Sequence, residues 1–372
     1  MIYLDNAATT YPKPRCVIDE INFCLKKYCG NPGRSSHKLS IRSSEAIYQA
    51  REEIAKLLSA SSAEQVVFTY NATYGLNLAI KTFVKRKCHI ITSDFEHNSV
   101  IRPLERLKST LGIEYSTIKS DEDLLSCLSN AIRPDTKGII CSIASNVTGN
   151  RLSLKLLSDF AKSHSLFLII DASQAIGHEE INLENTPCDA IVAPGHKALF
   201  GMQGSGFVCF KDTVRRESFI EGGSGTDSLS IYMPRLLPEG YEAGTMATPA
   251  IVSLGCGTRF VNDIGIDNIQ KKLVNMTELI EERLKSISGI KCYSPGIGIL
   301  SFNYKDISSH RFADELDKRQ ICTRAGLHCA PSIHKKLGTV DQGAVRLSLS
   351  YLNKLSDLDR FYKATKDIVK TI

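Results

Sequence analysis

The sequence lacks the cysteine spacing of a metal centre. Its 372 residues include twelve cysteines, but no two of them are spaced as Cys-x-x-Cys, which argues against a zinc or iron–sulfur site. The sequence also lacks a secretory signal, so we do not expect a disulfide framework. Most of the cysteines lie in apolar runs and are expected to be reduced core residues. Examples are Cys141, Cys188, Cys209 and Cys256.

Long hydrophobic runs and concentrated charge are also missing. The first ten residues have neither the basic region nor the continuous apolar stretch of a signal peptide, and no segment has the length and apolarity of a membrane span. The formal net charge of +6 is spread along the chain. Its densest clusters, 85–87 and 335–336, are too short for a nucleic-acid footprint. These features predict a cytoplasmic protein that binds neither nucleic acid nor membranes.

The chain does contain a regular alternation of strand-like and helical patterns. Apolar runs such as 166–171 and 190–193 are separated by segments with helical spacing, such as 41–58 and 154–163. This alternation predicts an α/β fold, with a mostly parallel sheet sandwiched by helices. The other strands predicted in this part of the chain are 65–69, 88–92, 138–143 and 205–210.

A different pattern begins after about Gly257. A long helical segment over 267–288 is followed by shorter strand-like and helical segments, which is typical of an α+β domain. The first dozen residues have no evident partner in the large sheet. We therefore predict a large domain over residues 15–257 and a small α+β domain formed by residues 1–14 and 258–372.

Two charged residues stand at the ends of neighbouring predicted strands. Asp171 ends one apolar run, and Lys197 follows the next within Pro194-Gly-His-Lys197. Because ligands of such sheets bind at the carboxyl ends of the strands, both side chains are expected on the same rim. A carboxylate that keeps a pyridinium nitrogen protonated and a lysine that forms a Schiff base are what pyridoxal phosphate requires. Taken alone, the commoner roles are a solvated loop lysine and a helix N-cap, but the ordered pair favours carbanion chemistry on an amino acid.

Three further polar residues follow predicted strands on that rim. Thr73 lies near the start of a helix, where its hydroxyl and the free amides can bind a phosphate, although a role as N-cap fits equally well. His97 is placed to lie flat on a cofactor ring, although a lone histidine is more often structural. Asn146 is placed to hydrogen-bond the cofactor or the substrate, although an asparagine in this position is usually part of a turn.

The chain resembles a known family in four motifs that occur in order. They are Ser145-Asn-Val-Thr-Gly149, Asp171-Ala-Ser-Gln174, Gly195-His-Lys197 and Glu242-Ala-Gly-Thr245. Over nearly its whole length the chain resembles the class V aminotransferase-like branch of pyridoxal-phosphate enzymes. That resemblance implies the fold of type I pyridoxal-phosphate transferases, with a large sheet of seven strands in a domain that binds the cofactor.

Two more segments narrow the resemblance to the cysteine desulfurases. They are the opening 3–10 and Arg324-Ala-Gly-Leu-His-Cys-Ala330, and the catalytic cysteine of that family lies in such a motif. Cys329 is the matching residue. The short stretch from Cys329 to Arg346 resembles the group II, selenocysteine-lyase-like enzymes.

The resemblance implies a role for each matching residue. Lys197 would carry the cofactor as a Schiff base, Asp171 would pair with the pyridinium nitrogen, and Cys329 would take up the sulfur. His97 would stack on the ring as a catalytic residue, and Arg346 would clamp the substrate carboxylate, with an outward-pointing surface arginine as the alternative. The remaining implied contacts are Gln174 to the phenolic oxygen, Thr73 and His196 to the phosphate, Asn146 to the cofactor or substrate, and Thr245 to the phosphate bound by the other subunit of a homodimer.

Two positions depart from the pattern of that family. Ala72 stands where relatives often have threonine, and Pro194 stands where they commonly have serine. Two phosphate-binding hydroxyls are therefore missing. The phosphate is expected to depend more on backbone amides, His196 and Thr245, or on further groups that the sequence does not identify.

The implied activity is that of a cysteine desulfurase. L-cysteine would yield L-alanine, and its sulfur would pass to Cys329 as a persulfide and then to an acceptor protein, as in the sulfur mobilisation for iron–sulfur clusters. His328 would either favour the thiolate as a positive neighbour or orient the loop. The alternatives are a selenocysteine lyase acting on L-selenocysteine, another pyridoxal-phosphate cysteine lyase or aminotransferase without need of Cys329, and a non-catalytic scaffold of sulfur metabolism.

Overall fold

The computed structural model describes residues 1–33, 35–211, 219–225 and 229–372. Its strands and helices alternate from residue 66 to residue 171, as the apolar runs and the segments with helical spacing predict. The strands over 167–171, 190–194 and 206–210 then follow one another without an intervening helix, so the predicted alternation does not extend through them. The strands are β1 (Ile2–Tyr3), β2 (Val66–Thr69), β3 (His89–Ser93), β4 (Glu114–Ile118), β5 (Thr136–Ser142), β6 (Phe167–Asp171), β7 (Ala190–Pro194), β8 (Gly206–Phe210), β9 (Ile290–Gly296), β10 (Ile299–Tyr304), β11 (Ile321–Cys322), β12 (Arg324–Gly326) and β13 (Ala344–Ser348).

The helices cover the sheets and contribute most of the rest of the core. Within the described part of the chain, no helix combines the length and the apolarity needed to cross a membrane. The helices are α1 (Arg15–Lys27), α2 (Lys38–Leu58), α3 (Ala72–Phe83), α4 (Asn98–Leu111), α5 (Leu124–Ala131), α6 (Leu154–Ser163), α7 (Thr248–Ile264), α8 (Ile266–Lys285), α9 (Ser309–Asp317), α10 (Pro331–Leu337) and α11 (Leu355–Thr371).

The largest sheet has seven strands among the described residues, in the spatial order β2-β8-β7-β6-β5-β3-β4. All neighbouring pairs are parallel except those that β8 makes with β2 and β7. Strands β5 to β8 are almost entirely buried, because helices cover both faces of the sheet, and this is why they appear in the sequence as continuous apolar runs. The predicted α/β fold with a mostly parallel sheet is confirmed.

The C-terminal part of the chain forms a second sheet, which is antiparallel and has the order β12-β13-β10-β9. The N-terminal segment joins this part: β1 pairs in parallel with β11, and the amide of Ala7 donates to Oγ of Ser348 at 2.8 Å. Helix α7 continues through residue 257, where we predicted a boundary. The division into domains of 15–257 and of 1–14 with 258–372 stays a prediction.

The carboxyl ends of the parallel strands and the start of two helices meet at one edge of the large sheet. Strands β6 and β7 end there at Asp171 and Pro194, and α3 and α4 begin there. The turn after β7 is tight, since a Cβ on Gly195 would lie 2.3 Å from Oγ of Ser205. Only glycine fits that position without displacing its neighbours. The tight turn therefore fixes the direction in which the backbone runs from β7 to Lys197.

Candidate active site

A cavity of about 270 Å³ opens at this edge of the sheet. Its wall combines residues that follow the parallel strands with residues of the antiparallel sheet and of the N-terminal segment, including Ala7 and Ala8. The structure therefore brings together ten of the eleven residues to which the sequence analysis gave a role. They are Thr73, His97, Asn146, Asp171, Gln174, His196, Lys197, His328, Cys329 and Arg346.

The lysine of this cavity has a lowered proton affinity. Burial lowers the pKa of the Lys197 amine to about 8, and the guanidinium groups of Arg346 and Arg324 act in the same direction while Asp171 opposes them. Asp171 is itself only 5% exposed, and its Oδ1 accepts a hydrogen bond from the amide of Ser173 at 2.9 Å. Near neutral pH a useful fraction of Lys197 is thus a neutral nucleophile, beside a carboxylate at the bottom of the cavity.

The segment 9–13 holds the backbone on either side of that lysine. The hydroxyl of Thr10 donates to the carbonyl of Lys197 at 3.0 Å, and its amide donates to the carbonyl of His196 at 3.0 Å. The hydroxyl of Thr9 and the amine of Lys13 also donate to that His196 carbonyl, at 3.1 and 3.0 Å. These bonds tie the N-terminal segment to the loop that presents Lys197.

One end of the cavity is rich in groups that suit a phosphate. Thr73 Oγ1 lies 2.7 Å from Oγ of Ser99, and that same Oγ lies 2.8 Å from Nδ1 of His97. Nδ1 of His196 is buried and has no hydrogen-bond partner among the described residues. Burial lowers the pKa of His196 to about 4, so its ring is neutral. Helices α3 and α4 both begin here, and their free amides add positive potential.

Sequence reasoning missed Ser99, although it lies in the wall of the cavity beside Ala72 and Pro194. Its hydroxyl lies at the end of the cavity where Ala72 and Pro194 replace the hydroxyl-bearing residues of the family pattern. The available signal was its position at the start of a helix that follows a buried strand, two residues after His97. Hydroxyl groups in that position often cap helices, so the pattern alone does not indicate a ligand.

A second residue that sequence reasoning missed is Glu96, which is fully buried behind the cavity. Its carboxylate accepts from both the amide and the hydroxyl of Ser142, each at 2.9 Å, and from the hydroxyl of Ser93. Burial raises the pKa of Glu96 to about 7. The carboxyl group therefore ties the end of β3 to the end of β5 and fixes the strands from which His97 and Asn146 follow.

Cys329 lies at the mouth of the cavity with its side chain exposed. Both His328 and Cys329 have left-handed backbone conformations, with φ of 50° and 56°, a strained geometry that is frequent at functional sites. The carbonyl of Cys329 accepts from the amide of Asn98 at 2.8 Å. The side-chain amide of Asn146 donates to the carbonyl of His328 at 2.6 Å. The hydrogen bonds from Asn98 and Asn146 thus hold the loop in a position in which the side chain of Cys329 is exposed to solvent.

The structure favours one of the two roles considered for His328. The ring is buried, with only 4% exposed, and burial lowers its pKa well below the usual value. Its Nε2 lies 3.1 Å from the carbonyl of Ala344 on β13. A neutral, buried ring held by the sheet orients the loop and does not supply positive charge to the thiol.

Arg346 points into the cavity. Its strand β13 lies between β12 and β10, and only 1% of the residue is exposed, so the alternative of an outward surface arginine is wrong. One terminal nitrogen donates to Oδ1 of Asp5 at 2.9 Å, and the other donates to the carbonyl of Asn146 at 2.8 Å. Nε is buried and has no partner among the described residues. Arg324 pairs with Arg346 across the two strands and also lines the cavity, a second cation that sequence reasoning did not assign.

Two of the predicted site residues need separate description, because one is already hydrogen-bonded to the protein and the other lies outside the cavity. The side-chain nitrogen of Gln174 donates to the carbonyl of Ala7 at 3.1 Å, which leaves it one further hydrogen to donate. Thr245 is exposed and lies outside the cavity of its own chain. It follows Glu242, whose buried carboxylate pairs with Arg51. A single chain therefore does not bring Thr245 to the other site residues.

Comparison with known proteins gives consistent results. The family model described as aminotransferase class-V matches residues 2–361. A curated protein of Methanothermobacter thermautotrophicus, described as "probable cysteine desulfurase", is 31% identical over 99% of this chain and 94% of its own length. The cysteine desulfurase of Wigglesworthia glossinidia brevipalpis is 29% identical over 100% of this chain and 93% of its own. The solved apo structure of the cysteine desulfurase from Thermococcus onnurineus NA1 has a TM-score of 0.94 and 29% identity, covering 100% of this chain and 95% of that chain.

Proposed function

Because this chain belongs to the class V aminotransferase family, we propose that it is a pyridoxal-phosphate-dependent cysteine desulfurase. It would convert L-cysteine to L-alanine and place the sulfur on Cys329. The observation that carries this proposal is an exposed cysteine on a strained, doubly held loop at the mouth of the cavity that contains Lys197 and Asp171. The relatives named cysteine desulfurase match over nearly the full length of both chains, which supports the same activity.

The residues present fit pyridoxal phosphate. Asp171 offers a carboxylate for the ring nitrogen, and Lys197 offers an amine for the aldehyde. Thr73, Ser99 and the unpartnered Nδ1 of His196 form a polar end for the phosphate. When bound, the cofactor supplies an aldehyde that reacts with amines and a ring that accepts electrons from the α-carbon of an amino acid.

The cavity also provides for binding the substrate and for moving its proton. Arg346, with one nitrogen unpartnered and Arg324 beside it, is placed to bind the carboxylate of cysteine in a bidentate geometry. Lys197, with a pKa of about 8, accepts the α-proton as a neutral amine and returns it to the three-carbon fragment. With the cofactor bound, Asp171 would keep the ring nitrogen protonated.

Sulfur transfer needs a nucleophile, and Cys329 is the exposed thiol in this cavity. Its thiolate attacks the sulfur of the bound substrate, so that an Sγ–S bond forms and the substrate carbon–sulfur bond breaks. The electron pair of that bond stays on the three-carbon fragment, which takes up a proton and leaves as alanine. Cysteine and a thiol thus give alanine and a persulfide, with no external oxidant or reductant.

The subunit arrangement is part of the proposal. Thr245 is exposed on a turn anchored by the buried pair of Glu242 and Arg51, so it is free to reach a second copy of the chain. In a homodimer it would contact the phosphate bound by the partner. We also propose that the enzyme works in the cytoplasm and hands its sulfur to an acceptor protein, for uses such as the assembly of iron–sulfur clusters.

The test is an assay for alanine and sulfide with L-cysteine, and with L-selenocysteine in parallel. We expect equal yields of alanine and sulfur from L-cysteine in the presence of a reducing thiol. Lys197→Ala is the control and should form neither product. Turnover of L-selenocysteine alone would replace the proposal by a selenocysteine lyase, and a colourless protein without turnover would indicate a scaffold.

A further inference from the structure

An open groove of about 430 Å³ leads away from Cys329 between helices α3 and α4. It shares Thr73, His97, Ser99 and Cys329 with the cavity, so the thiol of Cys329 lies where cavity and groove meet. The cavity side is the route by which sulfur reaches Cys329. The groove side is open to a second molecule that would take the sulfur away.

The walls of the groove are two rows of side chains spaced by four residues. One row on α3 contains Asn77 and Lys81, and the facing row on α4 contains Asn98, Arg102 and Arg106. Residues spaced by four lie on one face of a helix, so each helix presents its whole row to the groove. At 1.5 Å per residue the row on α4 extends about 12 Å from the end next to Cys329, the length of about four residues of an extended peptide.

The charge of the groove has one sign. Lys81, Arg102 and Arg106 are exposed in it, and no aspartate or glutamate lines it. Among the described residues, neither arginine has an ion-pair partner. The nearby acidic residue on α4, Glu105, is hydrogen-bonded to the hydroxyl of Tyr115. Three exposed cations without carboxylates create a field that attracts anions and accelerates their encounter.

We propose that this groove, defined by Asn77, Lys81, Asn98, Arg102 and Arg106, docks a sulfur-accepting polypeptide whose cysteine is flanked by acidic residues. The inference rests on the proposed function, since it concerns the step after a persulfide has formed. The accepting cysteine would lie at Cys329, and its acidic neighbours would extend along the groove toward Lys81 and Arg106. Charge complementarity of this kind sets encounter rate and partner choice.

The transfer step needs no further reactant. The thiolate of the acceptor attacks the outer sulfur of the Cys329 persulfide, and the bond between that sulfur and Sγ breaks. The electron pair of that bond leaves with Cys329 as a thiolate, which then takes up the proton that the acceptor thiol has lost. The acceptor ends as a persulfide, and the enzyme is ready for another cysteine.

The experiment uses the holoenzyme and three short synthetic peptides that carry one cysteine flanked by aspartates, by serines or by lysines. Persulfide transfer from cysteine-treated enzyme to each peptide is measured at low and high salt, with an uncharged small thiol as reference. For wild-type enzyme we expect the acidic peptide to react about tenfold faster than the basic one at low salt, a difference that salt reduces. The double variant Arg102→Glu with Arg106→Glu should reverse this preference.

The matched control is Lys108→Glu, which changes an exposed cation on the same helix outside the groove. It should leave the preference for the acidic peptide as in wild type. Equal rates for all three peptides, or an equal effect of Lys108→Glu, would overturn the docking proposal. A rate with the small thiol that is the same in every variant would show that the persulfide itself is unaffected.

A binding measurement separates this proposal from the proposed function. A fluorescent copy of the acidic peptide, with serine in place of its cysteine, should bind wild-type holoenzyme and lose most of its affinity in the double variant. If the enzyme forms no persulfide but this binding persists, the activity is wrong and the docking groove stands. If persulfide forms but the serine peptide binds both proteins alike, the groove proposal fails and the activity stands.

Discussion

Lys197 shares its cavity with two arginines, and this concentration of cations is the main electrostatic feature at the scale of single residues. Burial is the first cause of its lowered pKa, and Arg346 and Arg324 add to it. Placing three cations together costs stability unless a negative charge balances them. Asp171 and the Asp5 carboxylate that pairs with Arg346 supply part of that balance. The anionic carboxylate of an amino acid would supply more when it binds.

The lowered pKa of Lys197 predicts how fast the enzyme without cofactor captures pyridoxal phosphate at different pH values. Only the neutral amine attacks, so the rate should rise with pH and level off above about 8. With an ordinary lysine the rate would continue to rise until the pH reached that lysine's pKa of 10.5. The measurement is the rate at which a borohydride-trappable link appears. Arg324→Gln should move the midpoint upward because it removes a neighbouring cation, and a midpoint near 10.5 in the unaltered enzyme would contradict the account.

Replacing Asp171 should weaken catalysis without unfolding the protein. In Asp171→Asn the ring nitrogen would lose the partner that keeps it protonated, while the amide group fills the same space. Loss of such a partner costs a few kcal/mol of transition-state stabilisation, on the order of a hundredfold in rate or more. The check is the turnover of L-cysteine by enzyme saturated with cofactor. A rate within a few fold of wild type would mean that another residue holds the ring nitrogen.

At the scale of structural elements, the loop between β12 and α10 is held from two directions. Asn146 reaches its His328 carbonyl from the turn after β5, and the start of α4 reaches its Cys329 carbonyl. The loop is thus fixed to segments that follow β5 and β3 and that line the same cavity. Its left-handed residues, His328 and Cys329, need such support, since each costs of order 1–3 kcal/mol when unsupported.

Removing one of these supports should affect sulfur capture more than proton abstraction. In Asn146→Ala the loop loses a hydrogen bond of about 1–1.5 kcal/mol, enough to reduce sulfur transfer to Cys329 by about tenfold. The matched control is Asn150→Ala, in the same turn but without a contact to the loop. Solvent exchange of the substrate α-proton and the yield of alanine are measured side by side. If both fall equally in Asn146→Ala, Asn146 acts on the substrate and not on the loop.

The sequence predicted those elements whose burial produces a recognisable run of apolar residues. The strands β5 to β8 are continuous apolar runs and were located within about two residues. The edge strand β4, Glu114–Ile118, was missed because it is largely exposed and mixes polar with apolar residues, so that it resembles a loop.

The buried Glu96 and the hydroxyl of Ser99 were missed because their importance arises from contacts with residues far along the chain. The pairing of Arg324 with Arg346 likewise follows from the register of β12 and β13, which no local pattern specifies.

At the scale of the whole molecule, the site exists only because distant segments converge. Residues from the segments 7–8, 171–174, 194–197 and 324–346 line one cavity. The strand pattern predicted that Asp171 and Lys197 would share a rim, and the motif resemblance added Cys329 and Arg346. The turn that carries Thr245 depends on a similarly remote contact. Glu242 pairs with Arg51 on α2 and accepts from the amide of Phe68 on β2 at 2.6 Å, which fixes the turn against the large sheet.

Breaking that buried pair should destabilise the fold. Glu242→Gln leaves the charge of Arg51 buried and uncompensated, which costs about 3–5 kcal/mol. The matched control is Glu45→Gln on the same helix as Arg51, which breaks an exposed pair with Arg42 and should cost less than about 1 kcal/mol. The free energy of unfolding in urea gives the comparison. Equal losses in the two variants would show that the buried pair does not anchor the turn.

The most direct test of the account is mass spectrometry of the enzyme after brief treatment with L-cysteine, followed by digestion and peptide mapping. The account predicts one added sulfur atom on the peptide that contains Cys329, and none on those of the other exposed cysteines, Cys16 and Cys29. The Cys329→Ser variant should carry no added sulfur and release almost no alanine from cysteine, yet still exchange the α-proton of the substrate. A wild-type yield of alanine from that variant, with no persulfide on the parent enzyme, would contradict the account and indicate an ordinary cysteine lyase.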